Sequence, residues 1–220
     1  MNISLDVTLT FFRIESLAKT ERAELKADFV VGRLAASPLV IKSASRLCEE
    51  LANNPDTPSA ILKFTRKYAP LATEGARWGE VDFKLDPETW RFHQRMLRKR
   101  WAGISNSFRQ ARSAGLKLGG AYSWTFPEGS VLHPSRQGAV IQVSEFLPVV
   151  DLCFALIPLE RIRTCPAPGC PKPYFVADHL KQSYCGRTEC VEWGARARKL
   201  EYWNRNKKQF LAERQRERKE

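Results

Sequence analysis

Cys165-Pro-Ala-Pro-Gly-Cys170 and Cys185-Gly-Arg-Thr-Glu-Cys190 are two close cysteine pairs separated by fourteen residues. Two such pairs can supply four thiolates to one tetrahedral zinc, each pair from a tight turn, with the spacer letting the turns converge. Pro166, Pro168 and Gly169 lie inside the first pair, and Pro171 and Pro173 follow it, which favours a rigid turn. The segment holds too few large apolar residues to build a core, so it needs a metal staple. Two disulfides would use the same cysteines. The N-terminus, Met1-Asn2-Ile3-Ser4-Leu5-Asp6, lacks the features of a signal peptide, and a cytosolic chain argues against disulfides. The expectation is one structural Zn²⁺ on Cys165, Cys170, Cys185 and Cys190. Four thiolates leave no open position for water, which argues against a catalytic metal. His179, in the spacer, is expected at the surface, and Cys48 and Cys153 as free core cysteines.

Downstream of the last cysteine, residues 188–216 predict a helix without proline. Trp193, Ala197, Leu200, Trp203, Phe210 and Leu211 form an apolar arc, expected to dock on the cysteine turns or on the first domain. Arg198 and Arg205 face away from that arc, Lys199 and Lys208 flank it, and Arg196 and Lys207 fall inside it. With Lys181 and Arg187, these eight cations are the candidate nucleic-acid contacts. The mixed-sign tail beyond them is assigned no role.

Charge supports a polyanion-facing surface. The chain has 220 residues and a formal net charge of +12, with 43% hydrophobic and 27% charged residues, the make-up of a folded protein. Residues 161–220 hold 15 Lys/Arg against 7 Asp/Glu, and residues 89–127 hold 8 Lys/Arg and no acid, so each block carries +8 and the remainder −4. Four thiolates with one Zn²⁺ carry −2, which brings the +12 to about +10. Nucleic acid leads among the partners such a field attracts; an acidic protein or an anionic membrane surface would be attracted by the same field.

Upstream, alternation at Ile3, Leu5, Val7, Leu9 and Phe11 predicts a strand. Residues 20–35 and 41–52 read as helices, and 70–85 mostly as loop. Thr57-Pro58 looks like an N-cap with proline at the first helical position, opening a helix to about Tyr68. Asp86-Pro87 opens the longest helix, to about Ser113, with Trp90, Leu97, Trp101, Ile104 and Phe108 as one buried stripe. Arg91, Arg95, Arg98 and Arg109 share a face beside it, either a second basic surface or a solvated face paired with Glu49 and Glu50. Tyr122–Phe126 and Val140–Val143 read as strands of a small antiparallel element, and Ser144 as the cap of an apolar helix ending at Pro158. The expected fold class is α+β. A mainly helical domain with a small antiparallel sheet (1–160) precedes a four-cysteine module with a long basic helix (161–220).

No run of ~18 apolar residues predicts a membrane span. No Ser/His/Asp order, P-loop, GxGxxG or HExxH is present, and His93 and His133 stand alone, so an enzyme is not expected.

Arg161-Ile-Arg-Thr-Cys165-Pro-Ala-Pro-Gly-Cys170, Tyr174-Phe175-Val176, and Tyr184-Cys185-x4-Cys190 followed by Ala195-Arg-Ala-Arg-Lys together resemble the CGNR-type zinc finger. That finger usually ends a chain whose N-terminal part is the ABATE domain, described as a stress-induced transcription regulator. The resemblance covers about 161–206 and implies one zinc at the four cysteines and a DNA-binding role. Where the family reads Cys-Gly-Asn-Arg, this chain reads Cys190-Val-Glu-Trp193, so phosphate contacts of that arginine would shift to Arg187, Arg196 or Arg198. The resulting expectation is a cytoplasmic, nucleoid-associated DNA-binding regulator whose N-terminal domain senses a small molecule or forms a homodimer. The alternative is a protein-interaction module, or an RNA binder, with purely structural zinc.

Overall fold

In the computed structural model, residues 12–16, 20–26, 29–34, 39–71, 82–115, 131–135, 138–143 and 146–217 are described. The expected strand at 3–11, the expected strand at Tyr122–Phe126 and the expected cap Ser144 lie outside them. The fold is α+β, as expected. It begins with β1 (Phe12–Ser16), β2 (Thr20–Lys26), β3 (Phe29–Leu34) and β4 (Leu39–Ile41). Two helices follow, α1 (Ala44–Asn53) and α2 (Pro58–Lys67), then β5 (Asp82–Leu85) and the long α3 (Pro87–Ser113). β6 (Val131–Ser135), β7 (Gly138–Val143) and α4 (Phe146–Ala155) complete the N-terminal part. β8 (Ile162–Thr164), β9 (Tyr174–Val176) and α5 (Thr188–Glu217) make the C-terminal part.

Within the expected helix at 20–35, the described residues 20–26 and 29–34 are strands instead. β2 and β3 pair antiparallel, and β3 also pairs with β5, in a three-stranded sheet that takes in the end of the presumed 70–85 loop. Glu21, Ala23, Glu24, Leu25 and Lys26 are good helix formers, but Phe29-Val30-Val31 favours strand. Ladder pairing on both sides of β3 overrides the local preference. A second sheet has the order β4-β1-β7-β6, with β1 and β7 parallel and the other pairs antiparallel. Strand content is thus larger than expected, because β1 reaches β7 across more than a hundred residues.

The helices follow local signals closely. Thr57 caps α2 through Ala60 N–H with Pro58 in the first turn, and Ser43 caps α1 through Arg46 N–H. Asp86 accepts the N–H groups of Glu88 and Thr89 to open α3. Trp90, Leu97 and Trp101 of the α3 stripe are buried in the main core with Leu47 and Leu51 of α1, Ile61 and Phe64 of α2, and Phe146, Leu152 and Phe154 of α4. Cys48 and Cys153 are free and buried there; burial pushes the Cys48 thiol well up and the Cys153 thiol to about 12, so both stay protonated.

The first basic block is partly consumed inside this core. α1 has no basic residue in its last turn, so its terminal carbonyls need donors from elsewhere. α3 provides them. Gln94 Nε2 donates to Leu51 O and Asn54 O at 2.8 Å each, while Arg98 donates to Ala52 O at 2.8 Å and Asn54 O at 2.9 Å. Arg91 pairs with Glu88 and donates to Asp56 O, and Arg98 also meets Asp56. Arg109 donates to Thr164 O at 2.7 Å. Arg95 alone of the four candidate arginines is exposed with no such bond among the described residues. Their acidic partners are Glu88 and Asp56; Glu50 instead pairs with Arg46 and Lys67.

Candidate metal centre

β8 and β9 form a short antiparallel hairpin in the register Ile162↔Val176, Arg163↔Phe175 and Thr164↔Tyr174. Its tip is the first cysteine turn. Cys165 N–H donates to Pro173 O at 2.7 Å, which extends the ladder, and Cys170 N–H donates to Ala167 O at 3.3 Å, which closes the turn. Gly169 takes φ +68°, and Gly186, directly after Cys185, takes φ +82°, a region where a side chain is strained. Cys190 lies in the first turn of α5, where Val191 N–H bonds Arg187 O.

These turns bring Cys165, Cys170, Cys185 and Cys190 together with all four sulfurs within 4.8 Å of one another. The four are free thiols, and Cys170 Sγ and Cys185 Sγ are 3.6 Å apart. A disulfide requires ~2.05 Å. Tetrahedral zinc with Zn–S of ~2.3 Å places its sulfurs ~3.8 Å apart. The cluster therefore suits four thiolates around one ion. Burial raises the Cys165 thiol, but backbone N–H bonds from Cys185 and Ala167, together with hydrogen bonds from the Cys185 and Cys190 thiols, offset it and hold it below its ordinary value. Burial and the neighbouring sulfurs push Cys190 up, so without a cation the four sulfurs cannot all ionise cheaply.

Around the sulfurs lies a small second core of Cys165, Ala167, Phe175, Ala177 and Cys190, with Tyr184 and Trp193 packed on it at 6.1 Å between ring centroids. The spacer is pinned by Gln182, whose Oε1 accepts Asp178 N–H at 2.7 Å and whose Nε2 donates to Tyr184 O at 3.0 Å. His179 is exposed, as expected. Gly194, a weak spot for a helix in propensity, is required by approach: a Cβ there would lie 2.3 Å from the Tyr184 ring. Gly194→Ala should therefore cost about 1–3 kcal/mol through overpacking. It should loosen metal retention against a competing chelator while leaving the main-core melt in place.

The hairpin is also held from outside. Ile162 is buried in the main core. Trp101 Nε1 donates to Arg163 O at 2.7 Å, and Thr164 N–H donates to Ser105 Oγ at 2.9 Å. Asn53 brackets Tyr174, donating to its carbonyl and accepting its N–H, and Glu49 accepts Val176 N–H. Ser105 and Asn53 carried no sequence signal, since their partners lie 59 and 121 residues away.

The expected docking of the α5 apolar arc holds only at its start. Trp193 and Ala197 are half-buried, but Leu200 is 60%, Trp203 44% and Leu211 45% exposed. Past Ala197 the helix has left the small core, which spans only about its first three turns, so the arc has nothing of that core to cover it. Arg196, Arg198, Lys199, Arg205 and Lys207 are exposed on this helix, and Lys208 belongs to it. Arg205 pairs with Glu201, and Arg198 stands 5.9 Å from the Tyr184 ring. Lys181 and Arg187 are exposed on the second cysteine turn and its approach, Arg187 near Glu189 at 3.6 Å. No helix among the described residues is long and apolar enough to cross a membrane. No protein-family model, curated protein or solved structure matches the chain.

Proposed function

We propose that the chain is a zinc-stabilised DNA-binding regulator whose metal module anchors α5 as the nucleic-acid-contacting helix. The observation that carries this is the four-sulfur cluster at the root of an exposed basic helix. Zinc would be held by Cys165, Cys170, Cys185 and Cys190, and with four thiolates its contribution is structural. Arg196, Lys199, Trp203 and Lys207 lie within about 80° of one another at 100° per residue. A stripe of three cations around one aromatic suits phosphate contact with an apolar or stacking contact to a base. A helix ~10–12 Å across also fits a major groove ~12 Å wide. A divergent CGNR-type finger behind an ABATE-like domain is the family reading of the same layout. In it, Trp193 occupies the family arginine position and packs on Tyr184, so phosphate contacts pass to the neighbouring cations.

Duplex binding measured by fluorescence anisotropy against salt tests this. Affinity should fall steeply as salt rises, and Arg196→Ala/Lys199→Ala/Lys207→Ala should reduce the log–log slope by about 3, one per lost phosphate contact. Metal-loaded protein that fails to bind duplex at ~50 mM salt overturns the proposal. Exposed Leu200 and Leu211 favour a second reading, in which α5 docks a protein partner. In that case freshly purified protein carries no nucleic-acid absorbance and one defined protein copurifies.

A further inference from the structure

A trough of about 1090 Å³ runs along α1 and α2 and continues onto the loop after Cys170, onto β9 and onto the second cysteine turn. That volume is slightly above the range usual for small-ligand sites, roughly 300–1000 Å³. Five cations line it: Arg46 on α1, Lys63 and Lys67 on α2, and Lys172 and Arg187 on the metal module. Its two acids are already engaged. Glu50 is bonded by Arg46, Lys67 and Tyr68, and Glu49 accepts the Val176 N–H. Lys63 and Lys172 are in no ion pair among the described residues, and Arg187 has only the long, exposed contact to Glu189. The first turn of α2, with Ser59, faces the same space and adds the positive end of its dipole. Cations on separate elements around one open trough suit a ligand with several anionic centres rather than a single carboxylate.

We propose that this trough is an oligophosphate site, taking a small phosphate-chain ligand of nucleotide size, with Lys63, Lys172 and Arg187 on its phosphates. It is separate from the α5 stripe assigned to nucleic acid. Because Lys172 and Arg187 belong to the metal module and Cys185 lies in the same wall, an occupant ties the module to α1 and α2. Linkage then requires that ligand and metal strengthen each other's retention.

Calorimetric titration of metal-loaded full chain with tripolyphosphate and with ATP tests the site. Binding should be present for both and weaken at least ~10-fold in Lys63→Glu/Lys172→Glu, a loss of ~1.4 kcal/mol. Metal content and duplex affinity of that variant should stay near those of the unaltered chain. The milder Lys63→Gln/Lys172→Gln pair should show a smaller loss in the same direction, which covers any misfolding of the reversal variant. Conversely, the Arg196/Lys199/Lys207 alanine variant should keep oligophosphate binding. Absence of binding at millimolar ligand overturns the proposal, as does binding indifferent to both lysine pairs. Equal loss of duplex and oligophosphate affinity also overturns it, because the trough would then be part of a nucleic-acid track.

Discussion

Cys190→Ala should bring the metal content from about one ion per chain to near zero, and with it the fold of both cysteine turns and the root of α5. Structural zinc sites contribute about 10–16 kcal/mol of apparent binding energy at neutral pH. The small core around the sulfurs, with Phe175 and two alanines as its only buried non-cysteine side chains, cannot replace that. The loss should be local. Ile162 is in the main core, and Asn53, Glu49, Ser105 and Trp101 hold the hairpin strands from outside. Amide exchange should become fast across 165–172 and 178–197, yet stay slow at Ile162, Val176 and along α1 and α3. Unchanged metal content in the variant would exclude the four-sulfur site. Uniform fast exchange would show that the hairpin depends on the metal after all.

Trp101→Ala should be the most destabilising core change. Its ring is fully buried against Phe154 and Tyr174, at centroid distances of 5.4 and 6.1 Å, and its Nε1 carries the bond to Arg163 O. Truncating a buried tryptophan costs about 3–5 kcal/mol, a large share of the ~5–15 kcal/mol that holds a domain together. At ~2–4 °C per kcal/mol for a chain of this size, Tm should fall by about 6–20 °C. Trp101→Phe keeps much of the packing but leaves the Arg163 carbonyl without its donor, and should cost about 1–3 kcal/mol. Since Trp101 joins α3 to β8, Trp101→Ala should also speed exchange at Arg163 and Thr164, about sixty residues along the chain from the change. A melt within 2 °C of the unaltered chain would contradict this account of the joint.

Much of the frame was legible because its signals are short-range. Thr57-Pro58 announces α2, and Asp86-Pro87 announces α3, since a cap and its acceptors lie within one turn. The Trp90–Leu97–Trp101 stripe points inward by periodicity alone. Misreading 20–35 as a helix has the opposite origin. Residues 21–26 are mostly helix formers whose state is decided by pairing with β3, which is itself held on its other side by β5 about fifty residues on. The arginine face of α3 shows a further limit. Composition counts eight cations and no acid in 89–127, yet Arg91, Arg98 and Arg109 spend their donors on carbonyls at the end of α1, in the turn beyond it and in β8. Charge is additive along a sequence, but availability depends on which orphan carbonyls the fold brings near.

By itself the sequence determined the four-cysteine spacing and hence the chemistry of the cluster, because ligand type and turn length are local properties. It also determined the boundaries of α2, α3 and α5. Only the tertiary structure decided that the four sulfurs converge within 4.8 Å and that the hairpin carrying two of them is set into the N-terminal core. It likewise exposed most of the α5 arc beyond Ala197 and opened a cationic trough between α1, α2 and the four-cysteine module. Each of these depends on surfaces from segments tens of residues apart, and burial is a property of the pair of surfaces that meet rather than of either one alone.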